Sequence, residues 1–150
     1  MKTLFLMVAL IAATVAAAQE QKQVYDSTLA KKLGADELGM RKYVLVFLKK
    51  GPNRPSDSLA SIKLQKAHLE NIGKLAKMGK LILAGPFMDN QEIRGIYLFA
   101  VSSVEEAKEL TQTDPAVKAG SLIMELHPWY GSAALMELPN IHPRIQKKSF

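Results

Sequence analysis

The chain has 150 residues, 48% hydrophobic and 23% charged, with no cysteine and a net charge of +6. That make-up fits one ordinary core rather than a disordered or fibrous chain, and it excludes disulfides and a thiol nucleophile. The lysines fall in scattered doublets, Lys31-Lys32, Lys49-Lys50 and Lys147-Lys148, not in a basic stripe interleaved with aromatics, so no nucleic-acid partner is expected.

Residues 1–18 read as a secretory signal peptide. Lys2 precedes an apolar run, Leu4 to Ala18, and Ala16-Ala17-Ala18 place small side chains before Gln19-Glu20. The run is shorter than the roughly 20 residues that span a bilayer. The expectation is cleavage after Ala18 and an exported protein, periplasmic or secreted, with no membrane attachment once cleaved. Residues 19–40 form an N-terminal arm with one short helix over Leu29 to Leu33.

Tyr43 to Leu48 (YVLVFL) is an unbroken apolar run, as in a strand buried on both faces, ended by Lys49-Lys50-Gly51-Pro52. Asp57 or Ser58 can cap a helix from Leu59 to Met78 that Gly79 ends. Its apolar stripe is Leu59, Ile62, Leu69, Ile72 and Ala76, with His68 on the shoulder. LILAGPF is a second strand closed by Gly85-Pro86. A turn with Asp89-Asn90 leads to a third strand, Gly95 to Val101, so the two form a hairpin.

Ser103 and Glu106 match a capping box for a helix reaching Gln112. Asp114, Pro115 and Gly120 then occupy the favoured N-cap, N1 and C′ places of one more helical turn. The last strand, Ser121 to His127, sets Leu122, Met124 and Leu126 on one face and Ile123, Glu125 and His127 on the other, and Pro128 stops it. Residues 132–150 read as a surface tail. Strand, helix, strand, strand, helix, strand is the split βαβ order (βαββαβ) of an α+β, ferredoxin-like sandwich. One helix layer covers one sheet face. The doubly apolar first and third strands demand cover on the other, which a second subunit would supply.

Five stretches in this order, YVLVFLKKGP, KAHLENIGKLAKMGKLILAGPF, RGIYLFAV, TDPAVKAG and ELHPWYG, resemble the YciI-like (YCII-related) family of dimeric α+β barrel proteins. The resemblance covers residues 41–131. It implies a homodimer whose sheets face each other around a cleft holding a histidine and an aspartate, by position His68 and Asp114. Some relatives are dehydrochlorinases or resemble muconolactone isomerases, and many have no assigned reaction. The signal peptide, arm and tail set this chain apart from the simplest members.

A histidine takes and returns a proton near neutral pH, and an aspartate on its other ring nitrogen fixes the tautomer and stabilises the imidazolium. Such a dyad shifts protons or eliminates a leaving group beside a polarised carbonyl. The plainer readings are a packed histidine for His68 and a helix cap for Asp114. Further substrate-binding candidates are Gly85, Pro86, Asp89, Arg94, His127 and Trp129. The plainer readings are a strand exit for Gly85-Pro86, a turn residue for Asp89, a surface cation for Arg94 and dimer packing for Trp129. His142 has no paired ligand motif, and no zinc, phosphate-loop or dinucleotide pattern occurs, so neither metal nor cofactor is expected. Two functions fit: a small lyase- or isomerase-like enzyme acting on a small polar molecule, and a non-catalytic periplasmic protein that binds a small molecule or a partner. Haem, bound by other dimeric α+β barrels, is a third and fainter option.

Overall fold

The structure, a computed structural model, describes residues 24–148. The expected signal peptide and its cleavage point after Ala18 lie outside the described residues.

Local chemistry sets each helix start. Asp26 accepts from the Thr28 and Leu29 N–H groups and opens α1 (Ser27–Leu33). Asp57 does the same for α2 (Ser58–Lys77). Ser103 caps α3 (Val104–Thr111) through the Glu106 N–H, but the Glu106 carboxylate binds Lys80 instead of closing the capping box. Asp114 caps the single turn α4 (Pro115–Lys118). Strands β1 (Met40–Lys50), β2 (Leu81–Pro86), β3 (Ile93–Phe99) and β4 (Leu122–Ser132) form one antiparallel sheet in the order β2-β3-β1-β4. That is the ferredoxin-like α+β arrangement expected from the order of elements.

The alternation of β1 divides the core. Val44, Val46 and Leu48 face the helices and pack with Leu75 of α2, Ala107 of α3, and Tyr97 and Phe99 of β3. Tyr43 and Leu45 face the other way, with Ile82, Leu83 and Leu98.

Three expectations need correction. Pro128 does not stop the last strand, which runs to Ser132 in register with β1 as far as Met40. β4 is an edge strand, and an edge admits a proline whose nitrogen faces away from the ladder. Residues 132–150 are not a plain surface tail: a 3₁₀ turn, Ala133–Glu137, and helix α5, Leu138–Ile145, follow, and Leu135 and Met136 pack on the second sheet face. The chain therefore supplies part of the cover assigned to a second subunit. Finally, α2 is turned relative to its apparent stripe. Leu59 and Ile62 are 74% and 66% exposed, whereas His68, Asn71 and Leu75 are its buried residues. His68 sits in the middle of the buried side, not on a shoulder.

Candidate functional site

His68 enters from the inner side of α2 and Asp114 from the corner between α3 and α4. Their pairing depends on how that corner is held. Gly120, at φ 70°, ends α4, and its carbonyl accepts from the Asn53 N–H. Gly51, at the end of β1, donates to the Ser121 carbonyl; a Cβ on Gly51 would stand 2.1 Å from the Gly120 oxygen, so only glycine allows this approach.

Asp114 is completely buried and divides its carboxylate between two tasks. Oδ1 accepts from the Ala116 N–H at 2.8 Å, which is the helix cap. Oδ2 lies 2.7 Å from His68 Nδ1. The helix cap and the contact with His68 therefore coexist, one on each oxygen. With the carboxylate as acceptor, the proton of a neutral His68 sits on Nδ1 and leaves the Nε2 lone pair free.

Tyr97 completes the cluster. Its hydroxyl lies 3.4 Å from His68 Nε2 and 3.4 Å from Asp114 Oδ2, with its ring stacked near the imidazole. Burial first, then the negative charge of Asp114 and the hydrogen bond to it, push the Tyr97 phenol well above the ordinary 10.0. Tyr97 is thus a neutral donor beside His68 Nε2. Asn71, one turn after His68, is also buried; its Oδ1 accepts from Thr113 Oγ1 at 3.0 Å, and its Nδ2 has no partner among the described residues. Neither residue stood out in the sequence. Tyr97 lay hidden because GIYLFAV does not alternate and so does not reveal its face; Asn71 was readable from its three-residue spacing to His68.

The other candidates lie apart from this cluster. His127 and Trp129 project from the opposite sheet face, where the Trp129 ring tilts against Tyr43 and His127 meets Phe47 edge to face, each pair 5.7 Å apart. His127 Nε2 pairs with Glu125 at 2.9 Å, and Glu125 pairs with Lys49 at 3.2 Å. Those two partners, His127 foremost, hold the exposed Glu125 carboxyl below its ordinary value. Asp89 and Arg94 belong to the β2–β3 hairpin turn. The Arg94 guanidinium donates to Asn90 Oδ1 and, over longer distances, to the Asp89 and Gln91 carbonyls, and Asp89 accepts from the Gln91 N–H. Gly85 and Pro86 line a shallow, mainly apolar cavity of about 270 Å3 with Leu83, Ala84, Phe87 and Ile96. None of His68, Tyr97 and Asp114 borders it. Among the described residues no three metal-ligating side chains converge, and no helix is long and apolar enough to cross a membrane.

A family model described as YCII-related domain matches residues 43–130. Among solved structures, the chain is similar to a 5-chloro-2-hydroxyhydroquinone dehydrochlorinase from Burkholderia phenoliruptrix in complex with 2,5-dihydroxybenzoquinone. That likeness has a TM-score of 0.44 and 23% identity, and covers 58% of this chain and 92% of the other. No curated protein matches the sequence.

Proposed function

This chain belongs to the YCII-related domain family, and from that premise we propose that it is a small acid–base enzyme of lyase or isomerase type acting on a small polar organic molecule. The observation that carries the reading is the 2.7 Å contact between His68 Nδ1 and the buried Asp114 carboxylate. Asp114 holds the imidazole in one tautomer. His68 Nε2 takes a proton from a carbon beside a carbonyl, the carboxylate stabilises the imidazolium that forms, and the proton returns to another carbon or leaves with the departing group. Tyr97, kept neutral by its surroundings, is a hydrogen-bond donor at the same place.

The same reading makes the protein exported and dimeric. Export rests on the charged start, the apolar run Leu4 to Ala18 and the small residues before Gln19. Dimerisation rests on the second sheet face, where the chain's own 3₁₀ turn packs beside Tyr43 and Leu98 while Ile123 and Trp129 stay exposed. Light scattering at micromolar concentration is expected to report a dimer, and a monomer there would refute this part.

A non-catalytic binding protein is the second reading. The cavity favours it, because the shallow apolar space beside Gly85 and Pro86 lies away from the dyad. Proton exchange separates the two. Small enolisable carbonyl compounds, among them 2-oxo acids, unsaturated lactones and β-hydroxy ketones, are incubated with the protein in D2O and followed by proton NMR. The enzyme reading expects deuterium beside the carbonyl of at least one compound, with loss of exchange in His68→Gln. No exchange above the buffer rate, or equal exchange by His68→Gln, would leave the binding reading.

A further inference from the structure

Helix α2 presents polar side chains to the sheet where a packing helix would present apolar ones. His68 and Asn71 point inward with Leu75, while Leu59 and Ile62 face solvent. His68 has its partner in Asp114, but Asn71 is only half satisfied. The Thr113 hydroxyl meets its Oδ1 at 3.0 Å, and its Nδ2 is buried without a partner among the described residues. A buried amide N–H left in this state calls for a reason.

The placement supplies one. Residues three apart on a helix stand side by side, with Cβ atoms about 5–6 Å apart. Thr113 and Asp114 are consecutive, so one corner of the fold holds Asn71 and His68 by two adjacent links. The Asn71 amide and the His68 ring therefore share one buried corner of the fold. Thr113 has one hydroxyl proton and a second acceptor, the Leu110 carbonyl, at 2.7 Å. If that carbonyl takes the proton and the amide is turned, the partnerless end is an acceptor, and the test separates the two orientations.

We propose that Asn71 Nδ2–H donates to the substrate's carbonyl oxygen, and that the substrate is a small enolisable carbonyl compound. This rests on the acid–base reading of the dyad. As His68 Nε2 removes the proton from the neighbouring carbon, the C–H electron pair moves into the C–C bond and the carbonyl pair moves onto oxygen. The Asn71 N–H is fixed where that charge develops. The enolate then collapses, either taking the proton back at another carbon or expelling a β-substituent that leaves with its electron pair. No oxidant or reductant is needed.

The test compares wild type with Asn71→Leu, similar in volume and without a polar end, on the carbonyl panel in D2O and in thermal melting. The exchange rate is expected to fall about 10²-fold, the effect of losing one such donor, while the melting temperature holds or rises. A lower melting temperature with unchanged exchange per folded molecule makes Asn71 a structural residue and overturns the inference while the dyad reading stands. Full exchange by Asn71→Asp, which keeps an acceptor and loses the donor, overturns the assignment of Nδ2. Should wild type exchange nothing on the panel, the dyad reading fails. Side-chain 15N NMR during an oxalate titration then decides for Asn71: movement of its NH2 pair supports the contact, and an unmoved pair overturns it.

Discussion

On the face of the sheet that the helices cover, Val44, Val46, Tyr97 and Phe99 are shut away from water together with Asp114, and the hydrogen-bonded pair of Asp114 and His68 is built into the apolar layer. On the opposite face Tyr43 and Leu98 are equally buried, but beneath a 3₁₀ turn, while Glu125, His127 and Trp129 meet solvent in ordinary pairs. A buried carboxylate is costly unless it is paired and hydrogen-bonded, so evolution tolerates one chiefly where it serves chemistry or a specific fold. A surface glutamate needs no such reason. The difference teaches which histidine to weigh: His68, whose partner has no water around it, rather than His127, whose partner is exposed.

Asp114→Asn should break that contrast most sharply. Asparagine caps helices as well as aspartate, so its oxygen can keep the Ala116 N–H while its NH2 turns to His68. Nδ1 must then accept, the ring proton moves to Nε2, and the base is lost. Exchange is expected to fall about 10²–10⁴-fold with the melting temperature nearly kept, and 15N NMR of the ring should report the changed tautomer. Full exchange with the original tautomer would show that the carboxylate does not orient the ring.

Packing should differ between the faces in the same sense. Phe99→Ala on the helix side is expected to cost about 3–5 kcal/mol in urea unfolding. Leu45→Ala, half-buried on the other side, should cost about 1–2 kcal/mol. Equal losses would mean that the 3₁₀ turn closes its face as tightly as the helices close theirs.

Tyr97 gives an alkaline signature. Its folded-state pKa is raised, so above the ordinary value of 10.0 the unfolded chain gives up a phenolic proton that the folded chain keeps. Stability present below that pH is lost as the pH climbs above it, and Tyr97→Phe should flatten this part of the slope. An unaltered slope would mean that the phenol is not shielded. The smallest effect belongs to the exposed face: Lys49→Met should bring the lowered Glu125 titration part of the way back toward its ordinary value, as followed by carboxyl NMR.

The secondary elements were readable because their signals are local. Asp57, Ser103, Asp114 and Gly120 mark helix ends through hydrogen bonds to neighbours a few residues away, and the order of elements then leaves little choice of fold. Long-range facts were less accessible. The turned α2 could not be foreseen, because a hydrophobic stripe predicts the buried side only when the interior is apolar, and here it holds His68 and Asn71. Pro128 misled because whether a strand admits proline depends on its place at the sheet edge. The packing of Leu135 and Met136 is fixed by a sheet face built from residues far back in the chain. Of the candidate site, the contact of His68 with Asp114 followed from the family pattern, whereas Tyr97 required the register of β3 against β1.

The most direct test is the structure of the protein with a bound ligand, taken as the enolisable carbonyl compound that raises the melting temperature most. The account predicts a carbon of that compound about 3–3.5 Å from His68 Nε2, a reactive distance, with its carbonyl oxygen beside the Asn71 amide. A ligand seated against Leu83, Gly85, Pro86 and Phe87 with His68 untouched would contradict it.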